Sequence, residues 1–234
     1  MKIVAFSDPH GDLPHILDPF DVMCICGDIV PLNIQRDYKK SLEWLQVRFY
    51  KWWNDNKSPN SKLILIWGNH DFVGEKLQSD YIGGKAVSEY LWNDPDMYIL
   101  FDESVMIDNK VFYGTSWCPQ LENWAFYRDD EELKNIYHNL PQSIDVLLTH
   151  CPPKHNDIGR VLQTGWNMGN NFGCKQLEDA IRNNLKGSSQ VYIIGGHIHS
   201  GNHEWDIDGN LHYCNVSLKD EQYRNVYDVK CFEI

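Results

Sequence analysis

Asp8-Pro9-His10, Gly27-Asp28, Gly68-Asn69-His70-Asp71, His150 and Gly196-His197-Ile198-His199 bring carboxylate, amide and imidazole groups together in short polar motifs. These donors suit hard to borderline divalent cations such as Mn, Fe and Zn, and they need no thiolate. Two cations held a few ångströms apart repel each other. A shared anionic ligand offsets that repulsion, and Asp28 is suited to be the bridge. A pair of ions lowers the pKa of a bridging water and clamps both oxygens of an in-line phosphoryl displacement. The chemistry in view is therefore hydrolysis of a phosphate ester. In extended backbone His197 and His199, two residues apart, point the same way and can serve neighbouring ions.

Taken singly, each motif has an ordinary structural explanation. An Asp after a strand commonly caps a turn or helix, and a strand-end His such as His150 commonly makes a structural hydrogen bond. Their conjunction argues otherwise, because each motif follows, or nearly follows, a short apolar run. Val4-Ala5-Phe6 leads to Asp8, Val22-Met23-Cys24-Ile25-Cys26 to Asp28, Leu63-Ile64-Leu65-Ile66-Trp67 to Asn69, Val146-Leu147-Leu148 to His150, and Val191-Tyr192-Ile193-Ile194 to His197. Runs of β-formers closed by Gly or polar residues are buried strands. Ligands at their ends converge on one edge of a sheet, where the backbone is rigid and the loops vary.

In this order, DxH, GD, GNH(D/E), H and GHxH, the motifs resemble the signature of the calcineurin-like metallophosphoesterases, over residues 3 to about 217. The resemblance implies an α/β (α+β) fold of four α/β/β/α layers. Two mixed β-sheets form a sandwich flanked by helices, with a dinuclear metal site at the C-terminal edge of the strands. It implies that Asp8, His10, Asp28 and His199 hold one metal and that Asp28, Asn69, His150 and His197 hold the other. His70 matches the histidine that contacts phosphate and leaving group without being a ligand. Taken from its position alone, a His beside Asn69 is a ligand, a structural partner or an acid. Tyr113-Gly114-Thr115-Ser116-Trp117, Asn123-Trp124-Ala125-Phe126 and Thr149-His150-Cys151-Pro152-Pro153 resemble the short branch that lacks a cap domain, several of whose members act on phosphodiesters. The protein Ser/Thr phosphatases carry Asp-Arg-Gly shortly after GD, whereas Ile29-Val30-Pro31-Leu32 follows here.

Composition narrows the substrate. The chain has 234 residues, a formal net charge of −12 and only 21 Lys and Arg. Long nucleic acid needs many cationic contacts, so a small phosphate ester held through the metals is expected instead. The length fits a single metallophosphoesterase domain over residues 1–234. No apolar run approaches the ~18 residues of a membrane span, and Met1-Lys2-Ile3-Val4 enters the first strand directly, leaving no room for a signal peptide. The seven cysteines are scattered without a CxxC, consistent with buried hydrophobes in a reducing cytoplasm. Cys24 and Cys26 fall inside a strand pattern and read as core.

Residues 36–56 carry Leu42, Leu45, Phe49 and Trp52/Trp53 at helical spacing. Helices are also expected over 129–139 and 174–186. Hairpins are expected around Asp108-Asn109-Lys110 and Asp208-Gly209-Asn210, and a last strand over Val226–Phe232 in the second sheet. The Gly/Asn-rich stretch 165–173 is either a substrate-side loop or an ordinary surface loop. Trp117 and Trp124 are candidate substrate contacts beside Asn69 and His70, able to stack a base or cover an apolar leaving group; core packing is the alternative for both. With no segment long enough for a cap, the site is expected to be an open groove.

The expected reaction is phosphodiester hydrolysis, with a nucleotide or cyclic nucleotide as the kind of substrate. A metal-bridging hydroxide attacks phosphorus, and His70 protonates the departing alkoxide. The alternatives are a phosphomonoesterase and a metal-stabilised interaction module with a vestigial site. No ligand position is eroded, which argues against the latter.

Overall fold

The computed structural model describes residues 1–163, 167–187 and 189–234. β1 (Lys2–Phe6), β2 (Val22–Cys26) and β3 (Lys62–Ile66) pair in parallel, with β4 (Met97–Ile99) continuing beyond β3. The last strand, β11 (Lys230–Glu233), runs antiparallel to β1 and completes a five-stranded sheet ordered β11-β1-β2-β3-β4. The C-terminal strand is thus shorter than expected and closes the first sheet, not the second. The second sheet is built from β5 (Glu103–Ile107), β6 (Lys110–Thr115), β7 (Val146–Thr149), β8 (Val191–Gly195), β9 (Asp206–Asp208) and β10 (Leu211–Asn215), in the order β5-β6-β7-β8-β10-β9. β5 and β6 form a hairpin whose two loop residues, Asp108 and Asn109, have φ of 47° and 64°. These are the positive angles that a twist-matched two-residue turn requires.

Both sheets are covered on both faces, so their central strands are apolar throughout. Ile3, Ala5, Val22, Cys24, Cys26, Ile64 and Ile66 meet Phe112, Val146, Leu148, Ile194 and Cys214 in a core between the sheets. The Cys24/Cys26 pair is therefore packing, as its strand position implies. The alternate residues Val4, Phe6, Met23, Ile25, Leu63 and Leu65 face the helices with Leu45, Phe49 and Trp53. Each such side chain, fully buried, contributes about 1.5–3 kcal/mol.

The expected helix over 36–56 is continuous: α1 (Tyr38–Glu43), a π-helical stretch (Trp44–Phe49) and α2 (Tyr50–Asn56). Asp37 caps it, accepting from the Lys40 N–H at 3.2 Å. α3 (Phe72–Asp80) and α4 (Gly83–Leu91) follow β3 and were not apparent in the sequence. α5 (Asp130–His138) begins in a capping box made by Asp129 and Glu132, and α6 (Lys175–Asn184) packs against it. In the Gly/Asn-rich stretch, residues 165 and 166 lie outside the described residues. Beyond them, the Gly169 N–H donates to the Val161 carbonyl (2.8 Å) and the Phe172 N–H to the Gly159 carbonyl (2.8 Å). Among the described residues no helix is long and apolar enough to cross a membrane.

Candidate metal centre and active site

The segments following β1, β2, β3, β7 and β8 deliver their polar residues to one place. Asp28 sits at the middle. Its Oδ1 lies 3.4 Å from His150 Nε2, and its Oδ2 lies 3.8 Å from His10 Nε2 and 3.9 Å from His70 Nε2. Asp8 Oδ1 lies 3.5 Å from His199 Nε2, and Asn69 Oδ1 lies 3.0 Å from His150 Nε2. One donor atom from each of Asp8, His10 and His199 falls within 4.8 Å of the others, and the same holds for Asp8, Asp28 and His150 and for His10, Asp28 and His70. His197 stands beside His150, with ring centroids 5.2 Å apart.

The backbone works to hold these groups. Asp8, His10, Asp28 and His197 have φ of 56°, 45°, 55° and 64°, a left-handed conformation that few residues other than glycine adopt. Residues 197–199 form a bend running into a turn rather than the extended segment expected. The two imidazoles consequently diverge: His197 approaches His150, and His199 approaches Asp8 and His10, with ring centroids of His10 and His199 5.6 Å apart. The motif glycines make room for the carboxylates. A Cβ on Gly68 would lie 2.2 Å from Asp28 Oδ1, and one on Gly196 would lie 2.1 Å from Asp8 Oδ2.

Outer hydrogen bonds select which ring nitrogen faces inward. His150 Nδ1 donates to the Cys26 carbonyl at 2.8 Å and His199 Nδ1 to the Asp220 carbonyl at 2.9 Å, leaving each Nε2 free to face a carboxylate. His70 Nδ1 donates to Gln35 Oε1. Asp71 ties two site loops together by accepting from the backbone N–H groups of Gly68 (2.8 Å), Val30 (3.0 Å) and Ile29 (3.1 Å).

Electrostatics follow from burying two carboxylates among imidazoles. Burial opposes the charge on Asp8 and Asp28, but His199 beside Asp8 and His150 beside Asp28 hold both below the usual carboxylate range. Burial also opposes a charge on His150, yet Asp28 pushes it up to about 10. Burial outweighs the attraction of Asp28 and Asp8 at His10, which falls to about 4. Burial, joined by His150, lowers His197 to about 3.

Do these residues fit a pair of divalent cations? His10 supplies the sharpest test: among the described residues, neither of its buried ring nitrogens has a hydrogen-bond partner. A buried imidazole left unpaired costs about 1–3 kcal/mol, and a cation resolves that cost. The donor set of carboxylate, amide and imidazole also suits Mn, Fe or Zn. The residues fit.

Trp124 lies against His70, with ring centroids 4.4 Å apart, and the Arg36 guanidinium covers Phe72 and Trp124 at 4.2 and 5.2 Å. Trp117 takes the core-packing alternative. Its indole N–H donates to Asp102 Oδ2 at 2.7 Å, and its ring packs against Phe101, Phe126 and Arg128. Only 5% of it is exposed, so the structure places Trp117 in the core. Three further residues join the site without a signal in the sequence. They are Gln35 on His70, the buried Cys118, whose Sγ lies within 4.8 Å of a ring nitrogen of both His150 and His197, and Tyr223 beside His10. The cluster opens onto a depression of about 330 Å³ lined in part by His10, Pro31, Leu32 and Tyr223. A larger groove of about 760 Å³ between residues 12–18 and 225–231 contains none of the candidate ligands, so volume alone does not mark the site.

A sandwich of two mixed sheets with this donor cluster at one edge defines a two-metal phosphoesterase domain. A sequence profile of the calcineurin-like phosphoesterases matches residues 1–201, and the chain belongs to that family. A UPF0046 protein of Caenorhabditis elegans is 26% identical over 94% of this chain, which spans 57% of that relative's length. In fold the chain is similar to a phosphopantetheinyl hydrolase of Mycobacterium tuberculosis (TM-score 0.57, 12% identity, 95% of this chain and 90% of the other). It is likewise similar to a dimetal phosphatase of Danio rerio (TM-score 0.53, 12% identity, 92% and 86%).

Proposed function

We propose that this chain is a metal-dependent phosphodiesterase acting on a small substrate of the nucleotide or cyclic-nucleotide class. Asp8, His10, Asp28 and His199 hold one divalent cation, and Asp28, Asn69, His150 and His197 hold the other. The observation that carries the reading is the division of Asp28: one carboxylate oxygen is turned to His150 and the other to His10 and His70. A carboxylate so placed can serve both ions. When bound, the cations polarise the phosphoryl oxygens and lower the pKa of water.

The chain's own residues do the remainder. His70, its Nδ1 fixed by Gln35, keeps Nε2 toward the centre, where it can neutralise charge on a non-bridging oxygen and donate a proton to the leaving alkoxide. Asn69 orients the phosphoryl group beside it. Trp124, packed against His70 at a tilt, covers the leaving arm. The net charge of −12 opposes long nucleic acid, and a diester finds apolar surface on more than one side of the cluster. The test is hydrolysis of bis(p-nitrophenyl) phosphate against p-nitrophenyl phosphate, with and without added Mn. Metal-dependent preference for the diester is expected; hydrolysis of the monoester alone would refute the diesterase reading.

A further inference from the structure

The segment that follows the family-matched residues adds a part to the site that the motifs do not contain. Tyr223 lies beyond residues 1–201, yet its ring centroid stands 5.1 Å from His10, 5.1 Å from His199 and 6.4 Å from His70. It is not core: 42% of it is exposed. Its φ of 61° is costly for a bulky aromatic, of the order of 1 kcal/mol or more. The surrounding bonds enforce it. The Tyr223 N–H donates to the Asp220 carbonyl (2.8 Å), and Lys219 Nζ donates to the Tyr223 carbonyl (3.3 Å). The Asp220 carboxylate accepts from the N–H groups of Gln222 and Arg224, each at 2.9 Å. A strained backbone that sets an aromatic ring beside the candidate ligands, half in solvent, points to a contact with substrate.

The depression beside Tyr223 defines the chemistry of that contact. Its volume, about 330 Å³, is at the small end of the ~300–1,000 Å³ usual for small-molecule pockets. Pro31, Leu32 and the Tyr223 ring form the apolar part of its wall, and Asp12, Asn33 and Lys219 form the polar part. The one cation among the lining residues, Lys219, is buried and already bonded to Asp12 Oδ2 (2.6 Å), Asn225 Oδ1 (2.8 Å) and the Tyr223 carbonyl. The depression therefore has no spare positive charge for a second phosphate. It suits a neutral, planar group. His70 and Trp124 take the leaving arm, so the depression falls to the arm that stays on phosphorus.

We infer that Tyr223 walls a subsite for the retained arm of a phosphodiester and selects a planar, nucleoside-like group there. The inference rests on the phosphodiesterase reading. The test uses the metal-loaded protein and two diesters with the same leaving group, thymidine 5′-(p-nitrophenyl phosphate) and methyl p-nitrophenyl phosphate. The wild type should favour the thymidine ester in kcat/KM. Tyr223→Ala should lower that preference roughly tenfold, mainly through KM, which is the upper worth of an aromatic stacking contact. Tyr223→Phe should retain it, because the ring and not the hydroxyl makes the contact. Metal content should match the wild type in both variants. An unchanged preference in Tyr223→Ala, or a change that tracks loss of metal, would overturn the subsite. Failure of the underlying reading looks different: the wild type would hydrolyse neither diester. The subsite is then judged by calorimetric binding of thymidine 5′-monophosphate against methyl phosphate. Selective weakening of the thymidine compound by Tyr223→Ala supports it, and equal weakening of both overturns it.

Discussion

Asp71 offers a test of how the site loops are held. Its carboxylate is fully buried and accepts three backbone N–H groups: Ile29 and Val30 on Oδ1, after β2, and Gly68 on Oδ2, after β3. Those loops carry Asp28 and Asn69. Burial and the neighbouring Asp28 push Asp71 up to about 7, against the pull of the N–H donors. Asp71→Asn keeps a carbonyl oxygen for Ile29 and Val30 but turns an amide NH₂ toward the Gly68 N–H, orphaning one buried donor at a cost of about 1–3 kcal/mol. Asp71→Ala orphans all three. Both variants remove the same charge, so relief of the repulsion with Asp28 cancels between them. The difference is set mainly by two N–H groups and should be about 2–6 kcal/mol, with Ala the less stable. Urea unfolding in EDTA measures it without a metal-binding contribution, provided the slopes agree. Equal midpoints for Asn and Ala would refute the claim that Asp71 acts by accepting N–H groups.

Four further outcomes follow from the same geometry. Asp28→Ala should lower metal content measured by mass spectrometry together with activity; wild-type content would count against the bridge. His70→Asn should keep both metals while losing roughly 10²–10⁴ in turnover, more for alkyl than for p-nitrophenyl leaving groups; loss of metal would make it a ligand instead. His150, pushed up to about 10 in the metal-free protein, must lose its proton to bind a cation. Apparent metal affinity, followed by competition with a chelating dye, should therefore rise by up to about tenfold per pH unit between pH 7 and 10. The sign for stability is opposite: the raised pKa stabilises the metal-free fold below pH 6.5, and that contribution is lost as pH rises toward 10. Trp117→Phe should cost about 1–3 kcal/mol in thermal unfolding through the lost bond to Asp102, with KM unchanged.

The strands that carry the site were legible because each is a β-forming run ended by the residues it delivers. The long helix was legible because Leu45, Phe49 and Trp53 recur every four residues. α3 and α4 were hidden by glycine. Gly83-Gly84 reads as a breaker, but Gly84 is buried where a Cβ would lie 1.9 Å from the Ile99 carbonyl oxygen, so close packing and not a turn requires it. The final strand was assigned to the wrong sheet because periodicity names a strand without naming its neighbour. At the site, the polar motifs identified the residues that meet around Asp28. They could not separate Trp117 from Trp124, since both are aromatic residues in similar surroundings and only tertiary packing sends one to Asp102 and the other to His70. Nor could they show Tyr223, which reaches the cluster from a loop with no periodic or spacing signal.

The left-handed backbone at Asp8, His10, Asp28 and His197 also bears on how such a chain can change over evolutionary time. At those positions the functional side chain and the relaxed backbone favour different residues. Glycine would ease the torsional strain and abolish the donor in one step, so relief of the backbone and loss of the functional group are tied to the same substitution. In the metal-free state Asp8→Gly should accordingly unfold at a higher urea concentration than Asp8→Ala. The donor groups at these four positions are therefore held against the chain's own conformational preference.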